Sequence, residues 1–208
     1  MTHAQVDAEP KPRLGRKRDL TRDPEILEAA LDVLSETGYE RMTIDMVAAR
    51  AKAGKATVYR RWPSKAELVL DAVACLKNAD LDMEHLPDTG SLRGDLLVGI
   101  KPHTMQDADR RMRVMAGLMS LMAQEPQLGA AARRVIVEPR VALHRRLLQR
   151  AIERGEIAPD TDVETIAQIV PAMVAYRTLV QGGPVERAFV LSVIDGVLLP
   201  LLGLPVGS

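Results

Sequence analysis

The stretch Thr43–Lys65, TIDMVAARAKAGKATVYRRWPSK, decides how the rest of the chain is interpreted. Thr43 is a residue type that caps helices, and the apolar residues after it recur at the spacing of one helix face. Lys52-Ala53-Gly54 interrupts this pattern, and a second short helix is predicted over Lys55–Arg61, before a proline ends it. Two short helices joined by a tight turn, the second rich in cations and hydroxyls, are typical of a helix-turn-helix that enters the major groove of DNA.

One further helix is predicted on each side of this stretch. Asp23-Pro24 opens the first, with Asp as the cap and Pro at the first helical position, and Gly38 ends it. Ser64, followed three residues later by a glutamate, forms a capping box, so the other helix runs from Lys65 to about Lys77. Three of the chain's five aromatic residues lie in this region and indicate a small core of its own.

Beyond the loop at Pro87–Gly90, the sequence has the spacing of long helices and lacks the alternation that strands require. Pro139 and Pro171 fall inside helical patterns, so each is expected to kink or divide its helix. The predicted fold class is all-α, with an N-terminal three-helix helix-turn-helix domain, a C-terminal helical bundle and about nine helices in total. The later helices are predicted near Ser91–Lys101, Ala108–Gln124, Gln127–Arg154, Val163–Gln181 and Val185–Leu202.

The charge distribution favours a nucleic-acid partner although the totals cancel, with 28 Lys and Arg against 28 Asp and Glu. The segments Lys11–Arg18 and Arg50–Lys65 are basic and contain no acidic residue, so they are the electropositive candidates. The tail basics Arg16–Arg18 are either an arm that enters a minor groove or a disordered solubilising tail, and the sequence leaves both open.

Several other classes of protein are disfavoured. A nucleophile elbow, a phosphate loop, a paired metal-binding histidine helix and clustered cysteines are all missing from the sequence, so we predict no enzyme, no metal and no cofactor. The apolar run Phe189–Gly207 contains prolines, glycines and an aspartate, which indicates a buried helix and no membrane partner. The single cysteine, Cys75, lies in an apolar helical stretch, and no signal peptide precedes it, so a cytoplasmic location is expected.

The stretch Thr43–Lys65 resembles the DNA-binding signature of the tetracycline-repressor (TetR) family of bacterial transcriptional regulators. The resemblance covers roughly residues 20 to 70, through the Gly38-Tyr39 turn, the Ala-rich second helix and Trp62. Beyond residue 80 only the length and the all-helical character match. The sequence departs from the family pattern at Lys52, where a glycine is usual, and at Gly54, where a capping serine is usual. A left-handed Lys52 costs on the order of 1 to 2 kcal/mol relative to glycine, which the turn tolerates.

The resemblance implies a homodimeric regulator that binds a palindromic double-stranded operator and is released by a small, largely apolar effector. It implies a basic tail at residues 1–19, a DNA-binding domain at residues 20–66 and a ligand-binding and dimerisation domain at residues 67–208. It assigns base edges or adjacent phosphates to Lys55, Ala56, Thr57 and Arg60, and the DNA backbone to Thr43, Tyr59 and Lys65. A guanidinium donates twice to one guanine edge, so Arg60 or Arg61 is the best base reader. For each cation alone, the alternative is an ordinary solvated helix face.

A methionine stripe marks the candidate effector site, because four methionines recur at i, i+3, i+7 and i+10. Such a stripe is either a flexible core filler or the adaptable wall of an apolar pocket, and the resemblance favours the pocket. Polar residues that could orient a ligand complete the set, although His144 lies on an apolar stripe where a hydrogen-bonded core histidine is the alternative. The candidate ligand-binding residues are His103, Met112, Met115, Met119, Met122, Arg140, His144, Met173, Tyr176 and Arg177.

The last two helices are predicted to form a four-helix dimer interface across a two-fold axis. A dimer places two recognition helices in successive major grooves, about 34 to 36 Å apart. Two alternatives stay open from the sequence: a ligand-independent DNA-binding regulator and a small helical enzyme. The predicted interface residues are Ile166, Val170, Met173, Val190, Ile194, Val197 and Leu201.

Overall fold

The computed structural model describes residues 22–79, 81–98, 100 and 105–205, and over these residues it is helical without a strand, as predicted. The basic tail at residues 1–19 and His103 lie outside the described residues. The helices are α1 (Asp23–Arg41), α2 (Ile44–Arg50), α3 (Lys55–Arg61), α4 (Lys65–Asn78), α5 (Leu92–Val98), α6 (Met105–Gln124), α7 (129–153), α8 (163–180) and α9 (187–201).

Local capping produces the first helices as the sequence predicts. The Thr43 hydroxyl accepts a hydrogen bond from the backbone N–H of Met46 at 3.2 Å, and that of Ser64 accepts from Glu67 N–H at 3.1 Å. One detail differs, since Arg22 occupies the cap position of α1 and Asp23 is already helical. Gly38 adopts φ +73° near the end of α1 and turns the chain toward α2, as expected of a glycine stop.

The turn between α2 and α3 is left-handed at Lys52, which has φ +50°. Gly54 precedes α3 in an extended conformation and provides no side-chain cap. The Arg22 guanidinium donates to the carbonyl of Ala51 at 3.0 Å and to that of Lys52 at 3.4 Å. These hydrogen bonds tie the turn to the start of α1 and help to hold a backbone conformation that a lysine rarely adopts.

The core of the helix-turn-helix is not separate from the rest of the chain, contrary to the expectation from the aromatic residues. Val58 and Trp62 are buried in it, and the Trp62 indole N–H donates to Asp71 at 2.8 Å. The same hydrophobic cluster continues into α6 through Val114 and Leu118. The approach is close at Gly117, where a Cβ atom would lie 2.6 Å from a methyl group of Leu34 on α1. A larger residue there would displace the Leu34 side chain, so α1 and α6 pack closely at this point.

A second hydrophobic cluster holds the C-terminal half together. Leu92 of α5, Leu148 of α7, Val170 of α8 and Ile194 of α9 are all buried in it. The buried carboxylate of Asp95 closes one end of this cluster. Its hydrogen-bond donors are the backbone and hydroxyl of Thr89 and the Arg154 guanidinium.

The prolines inside helices are accommodated by local distortion, as predicted for Pro139 and Pro171. A π-helical turn at Arg133–Val137 directly precedes Pro139 in α7, and another at Ile194–Leu198 directly precedes Pro200 in α9. In α8 the helical pattern is interrupted at residues 167–168, before Pro171. A wide turn relieves the clash between the proline ring and the preceding carbonyls, so the helix continues past the proline.

Cys75 lies in α4, the apolar helical stretch predicted for it, and is exposed there. It shares a face of α4 with the exposed Asp71 one turn earlier, whereas Val73 projects into the core on the other side. Among the described residues, the helices are too short or too polar to cross a membrane.

Candidate functional site

The exposed face of α3 presents most of the residues predicted to contact DNA. Lys55, Ala56, Tyr59 and Arg60 are exposed, with 48% of Tyr59 accessible, and Thr57 is half-buried. Val58 is fully buried and anchors the opposite face of the helix. The helix therefore offers an ammonium, two hydroxyls and a guanidinium from one surface, a set that suits phosphate oxygens and base edges.

Arg60 and Arg61 are placed differently, although they are neighbours. Arg60 is exposed, whereas the Arg61 side chain is only 14% accessible and forms an ion pair with Asp23 of α1. Consecutive residues on a helix project about 100° apart, so only one of the two can share the exposed face. Arg60 remains the predicted base reader, and Arg61 is corrected to a residue that fastens α3 to α1.

Two of the predicted DNA-contacting lysines already have partners within the chain. Lys65 Nζ donates to the backbone carbonyl of Tyr39 at 2.8 Å and lies 4.2 Å from the centroid of that tyrosine ring. Lys55 Nζ donates to the Asp45 carboxylate at 2.5 Å, and this hydrogen bond raises the pKa of Lys55. Both ammonium groups lie beside the helix-turn-helix surface, held by contacts that a phosphate can replace.

Tyr39 links this surface to the C-terminal half. Its hydroxyl donates to the Glu125 carboxylate at 2.8 Å, and burial together with this hydrogen bond raises the pKa of Tyr39. Sequence reasoning placed Tyr39 in a turn and in a small core but missed this contact, because a partner 86 positions away leaves no local pattern. These hydrogen bonds connect the α1–α2 turn with Lys65 and with the end of α6.

The predicted effector residue Arg140 contacts the C-terminal end of α4, and His144 lies one turn further along α7. The Arg140 guanidinium donates to the carbonyl of Lys77, at 3.2 Å from Nε and closer from Nη2. The Asn78 side-chain amide donates to the carbonyl of Val135 at 2.8 Å, within the π-helical turn of α7. These two contacts attach the end of α4 to α7.

Burial and neighbouring positive charges lower the pKa of Lys77 and of His144 near the junction of α4, α6 and α7. Burial, then the positive charges of Arg140 and Arg111, lower the pKa of Lys77 to about 8. Burial, then the charge of Arg140, lower the pKa of His144 to about 4, although a hydrogen bond to the Arg140 backbone acts in the opposite direction. Sequence reasoning did not single out Lys77 and Arg111. A lysine in the last turn of a helix is usually explained by its favourable interaction with the helix dipole.

The methionine stripe does not form one wall of a pocket. Met115 is buried and Met122 is partly buried, both in the hydrophobic cluster shared with α1 and α4, whereas 46% of Met119 is exposed. Met112 is half-buried. The core-filler interpretation therefore applies to Met115 and Met122, because the packing of α6 against α1 turns these residues toward the helix-turn-helix.

The remaining effector candidates lie elsewhere, on the outer surface of α8. Met173 and Tyr176 are exposed. The Arg177 guanidinium lies 5.5 Å from the Phe189 ring and donates to the side-chain oxygen of Gln181 at 3.1 Å. These residues do not join the group at the end of α4, because α8 presents them on its solvent side.

The predicted dimer interface divides into two sets. Val170 and Ile194 are buried in the protomer's own core and are corrected to core residues. Met173, Val197 and Leu201 are exposed, and Ile166 and Val190 are half-buried. Leu179 and Val180 extend the exposed apolar surface of α8 and α9 and were not predicted.

The helix-turn-helix, with an exposed cationic second helix joined to a helical C-terminal half, defines a DNA-binding transcriptional regulator. Two family models match the chain: "Bacterial regulatory proteins, tetR family" at residues 26–72, and "Tetracyclin repressor-like, C-terminal domain" at residues 86–197. The chain belongs to the TetR family of bacterial transcriptional regulators.

Relatives and solved structures agree with this assignment. The DNA-binding transcriptional repressor TetR of Mycobacteroides abscessus is 37% identical over 190 residues, which cover 89% of this chain and 96% of that protein. An uncharacterised HTH-type transcriptional regulator of Mycobacterium tuberculosis is 35% identical over 87% of this chain and 88% of its own length. The crystal structure of the TetR family transcription regulator SCO0332 superposes with a TM-score of 0.62 at 30% identity, over 85% of this chain and 96% of that one. These relatives are regulators and not enzymes, as predicted for this chain.

Proposed function

We propose that this protein is a ligand-responsive repressor that binds a palindromic operator as a homodimer and leaves it when a small, largely apolar molecule binds. Residues 20–66 bind DNA in this proposal, residues 67–208 bind the effector and form the dimer, and the protein acts in the cytoplasm. The similarity to a protein named as a repressor in Mycobacteroides abscessus supports the direction of regulation. The observation that carries the proposal is that α4 has contacts in both halves of the chain.

At the DNA end, α3 enters the major groove with its exposed face. Arg60 reads a base edge, and Lys55, Ala56 and Thr57 contact base edges or neighbouring phosphates at the start of the helix. Thr43, Tyr59 and Lys65 contact the DNA backbone. Hydroxyl and ammonium donors to phosphates fix the register of the helix, and a bidentate guanidinium supplies the sequence preference.

At the other end of the molecule, the exposed apolar residues of α8 and α9 pair with those of a second copy. Small residues on the exposed side of α9, among them Ala188, Ser192 and Gly196, allow two such helices to approach closely. A two-fold axis at this surface repeats α3 at the spacing of successive major grooves. Analytical ultracentrifugation at micromolar concentration should give a mass of about twice 22.8 kDa, and a monomer would contradict the dimer.

Helix α4 connects effector binding to DNA binding. Its first residue, Lys65, is bonded to the α1–α2 turn, and its last residues are bonded to α7 through Arg140 and Asn78. A ligand that changes the position of α7 therefore moves α4 and alters the separation of the two α3 helices. A difference of about 10² in effector affinity between the two arrangements supplies about 2.7 kcal/mol of coupling.

The test measures this coupling in both directions. An operator sequence is first selected from randomised DNA, and compounds that bind the DNA-free protein are identified by thermal shift. Calorimetric titration of such a compound is performed with and without operator DNA, and the affinity should fall by the same factor by which the compound weakens DNA binding. Equal affinity in the two titrations would mean that the protein binds DNA but that its C-terminal half does not control this binding.

A further inference from the structure

We propose that Arg22 is a positioning residue for DNA recognition: its guanidinium holds the turn before α3 and thereby places the first residues of that helix, Lys55–Thr57, against the operator. This inference rests on the proposed function, because it takes α3 as the helix that reads DNA. Arg22 lies at the cap position of α1 and does not belong to the predicted DNA-contacting set. It would thus act on recognition without touching DNA.

The turn between α2 and α3 is a Schellman motif with a lysine at the position that glycine usually takes. The Ala53 N–H donates to the carbonyl of Ala48 at 2.9 Å, and the Lys52 N–H donates to that of Ala49 at 3.2 Å. This pair of hydrogen bonds requires a left-handed residue, and Lys52 has φ +50°. A Cβ atom makes that conformation unfavourable by about tenfold relative to glycine, so the turn needs support from elsewhere.

Arg22 provides this support from the start of α1. Its Nη2 donates to the carbonyl of Ala51 at 3.0 Å and to that of Lys52 at 3.4 Å. These two carbonyls flank the Lys52 Cα atom, so the contacts fix the peptide groups on both sides of the left-handed residue. The Nε of the same guanidinium donates to the Glu25 carboxylate at 3.3 Å, which orients the guanidinium plane. The last carbonyls of a helix need donors from outside it, and α2 receives one here.

The two ends of α3 are held in different ways. Its last residue, Arg61, pairs with Asp23 of α1, and the next residue, Trp62, is buried. Its first end has no side-chain cap, because the cap residue is Gly54. The start of α3 therefore depends on the turn that Arg22 supports. Without that support, this short helix would tilt about its anchored end.

A displaced start of α3 should affect sequence-specific binding more than non-specific binding. Recognition helices contact base edges with the residues at their N-terminal end, which here are Lys55–Thr57. A hydrogen bond to a base edge weakens steeply when its angle or distance departs from the favoured range. The attraction between cations and phosphates is independent of sequence and survives a small shift of the helix. Arg22 should therefore set the ratio of specific to non-specific affinity.

The experiment compares Arg22→Met, Lys52→Gly and the double variant with the wild-type, full-length protein. Fluorescence anisotropy measures the affinity for the operator selected by the wild type and for a non-operator duplex of equal length, at several salt concentrations. Arg22→Met should lower the ratio of the two affinities about tenfold and leave the salt dependence of non-operator binding unchanged. In the Lys52→Gly background, the same substitution should lower the ratio less than about twofold, because glycine adopts the left-handed turn without strain.

Hydrogen exchange in the DNA-free protein reports on the turn itself. The amides of residues 52 and 53 form the two hydrogen bonds of the Schellman motif, so Arg22→Met should speed their exchange about tenfold. Adding Lys52→Gly should reverse this change. Circular dichroism at the same temperature verifies that each variant is folded. Arg146→Met removes the same charge from an exposed position on α7 and should alter neither the exchange nor the affinity ratio.

A direct phosphate contact is the alternative role for a cation at residue 22. Equal losses of operator and non-operator binding, with a salt slope reduced by about one, would establish that role and overturn the proposal. An unchanged affinity ratio for Arg22→Met, or the same loss in the Lys52→Gly background, would also overturn it, because Arg22 would then not act through the turn.

The wild-type protein separates this inference from the proposed function. A wild type that selects no operator from randomised DNA would contradict the proposed function. A wild type that selects an operator, with an Arg22→Met variant of equal affinity ratio, would contradict only the role of Arg22.

Discussion

The cations of the helix-turn-helix and those at the junction of α4, α6 and α7 lie in opposite electrostatic settings. Lys55 pairs with Asp45 at 2.5 Å and Arg50 pairs with Glu36 at 2.6 Å, and all four side chains are open to solvent. At the junction, Lys77 and His144 are surrounded by protein, and the charges that act on them among the described residues are positive.

This difference indicates how each region deals with a binding partner. An exposed ion pair contributes only about 0 to 1 kcal/mol, so DNA phosphates can replace Asp45 beside Lys55 at little cost. A buried group has no water to stabilise its charged form, so protonation and packing at the junction change together. The exposed ion pairs can therefore exchange partners at little cost, whereas protonation of the buried groups costs stability.

Acidification should have the largest effect on stability, because it protonates the buried His144. His144 titrates near 6.5 when unfolded and near 4 when folded, so in this range the unfolded chain binds the proton and the folded protein does not. The contribution of neutral His144 to stability should therefore be fully present above pH 6.5. The free energy of unfolding should fall by up to about 3 kcal/mol as the pH drops to 4. Urea unfolding across this range, compared with His144→Leu, isolates the contribution. The matched control is His85→Leu, since the His85 side chain is 82% exposed, and it should keep the wild-type slope.

Arg60→Ala should produce the next largest effect, in DNA binding alone. If Arg60 reads a guanine, its loss costs roughly 1 to 3 kcal/mol of specific binding and relaxes the preference at one base of each half-site. The unfolding free energy should stay within about 0.5 kcal/mol of wild type, because the side chain is exposed. Selection of the variant against randomised DNA measures the preference, and an unchanged preference would remove Arg60 as the base reader.

Arg61→Met should show the reverse pattern. Because Arg61 pairs with Asp23 and is mostly buried, the variant should lose about 1 kcal/mol of stability and retain the wild-type base preference. Denaturant unfolding and the same DNA selection distinguish the neighbours. A changed preference with unchanged stability would return Arg61 to the DNA surface.

Asp45→Asn should produce the smallest change in stability, less than about 0.5 kcal/mol, because the pair with Lys55 is exposed. The freed ammonium should strengthen binding to DNA of any sequence and steepen the salt dependence by about one unit of slope. Glu153→Gln, exposed on α7, changes the net charge equally and serves as the control. If both variants have the same salt dependence, Lys55 does not contact phosphate.

The sequence was sufficient for the features that depend on neighbours along the chain. The caps at Thr43 and Ser64 and the bounds of α3 were predicted and are observed, and Lys52 has the left-handed conformation whose cost the sequence analysis considered. Each depends on residues within about four positions of one another, whose spacing fixes which backbone groups meet. The family followed from the same local pattern, because a helix-turn-helix is contained in a short stretch.

Only the tertiary structure decided which surfaces meet. Arg61 faces Asp23, Met115 joins the core of α1 and α4, and the hydroxyl of Tyr39 reaches Glu125. The group formed by Lys77, Arg111, Arg140 and His144 likewise requires α4, α6 and α7 to meet at one point. A helical pattern defines the apolar face of each helix but not the partner of that face, which is determined by the packing of the whole bundle.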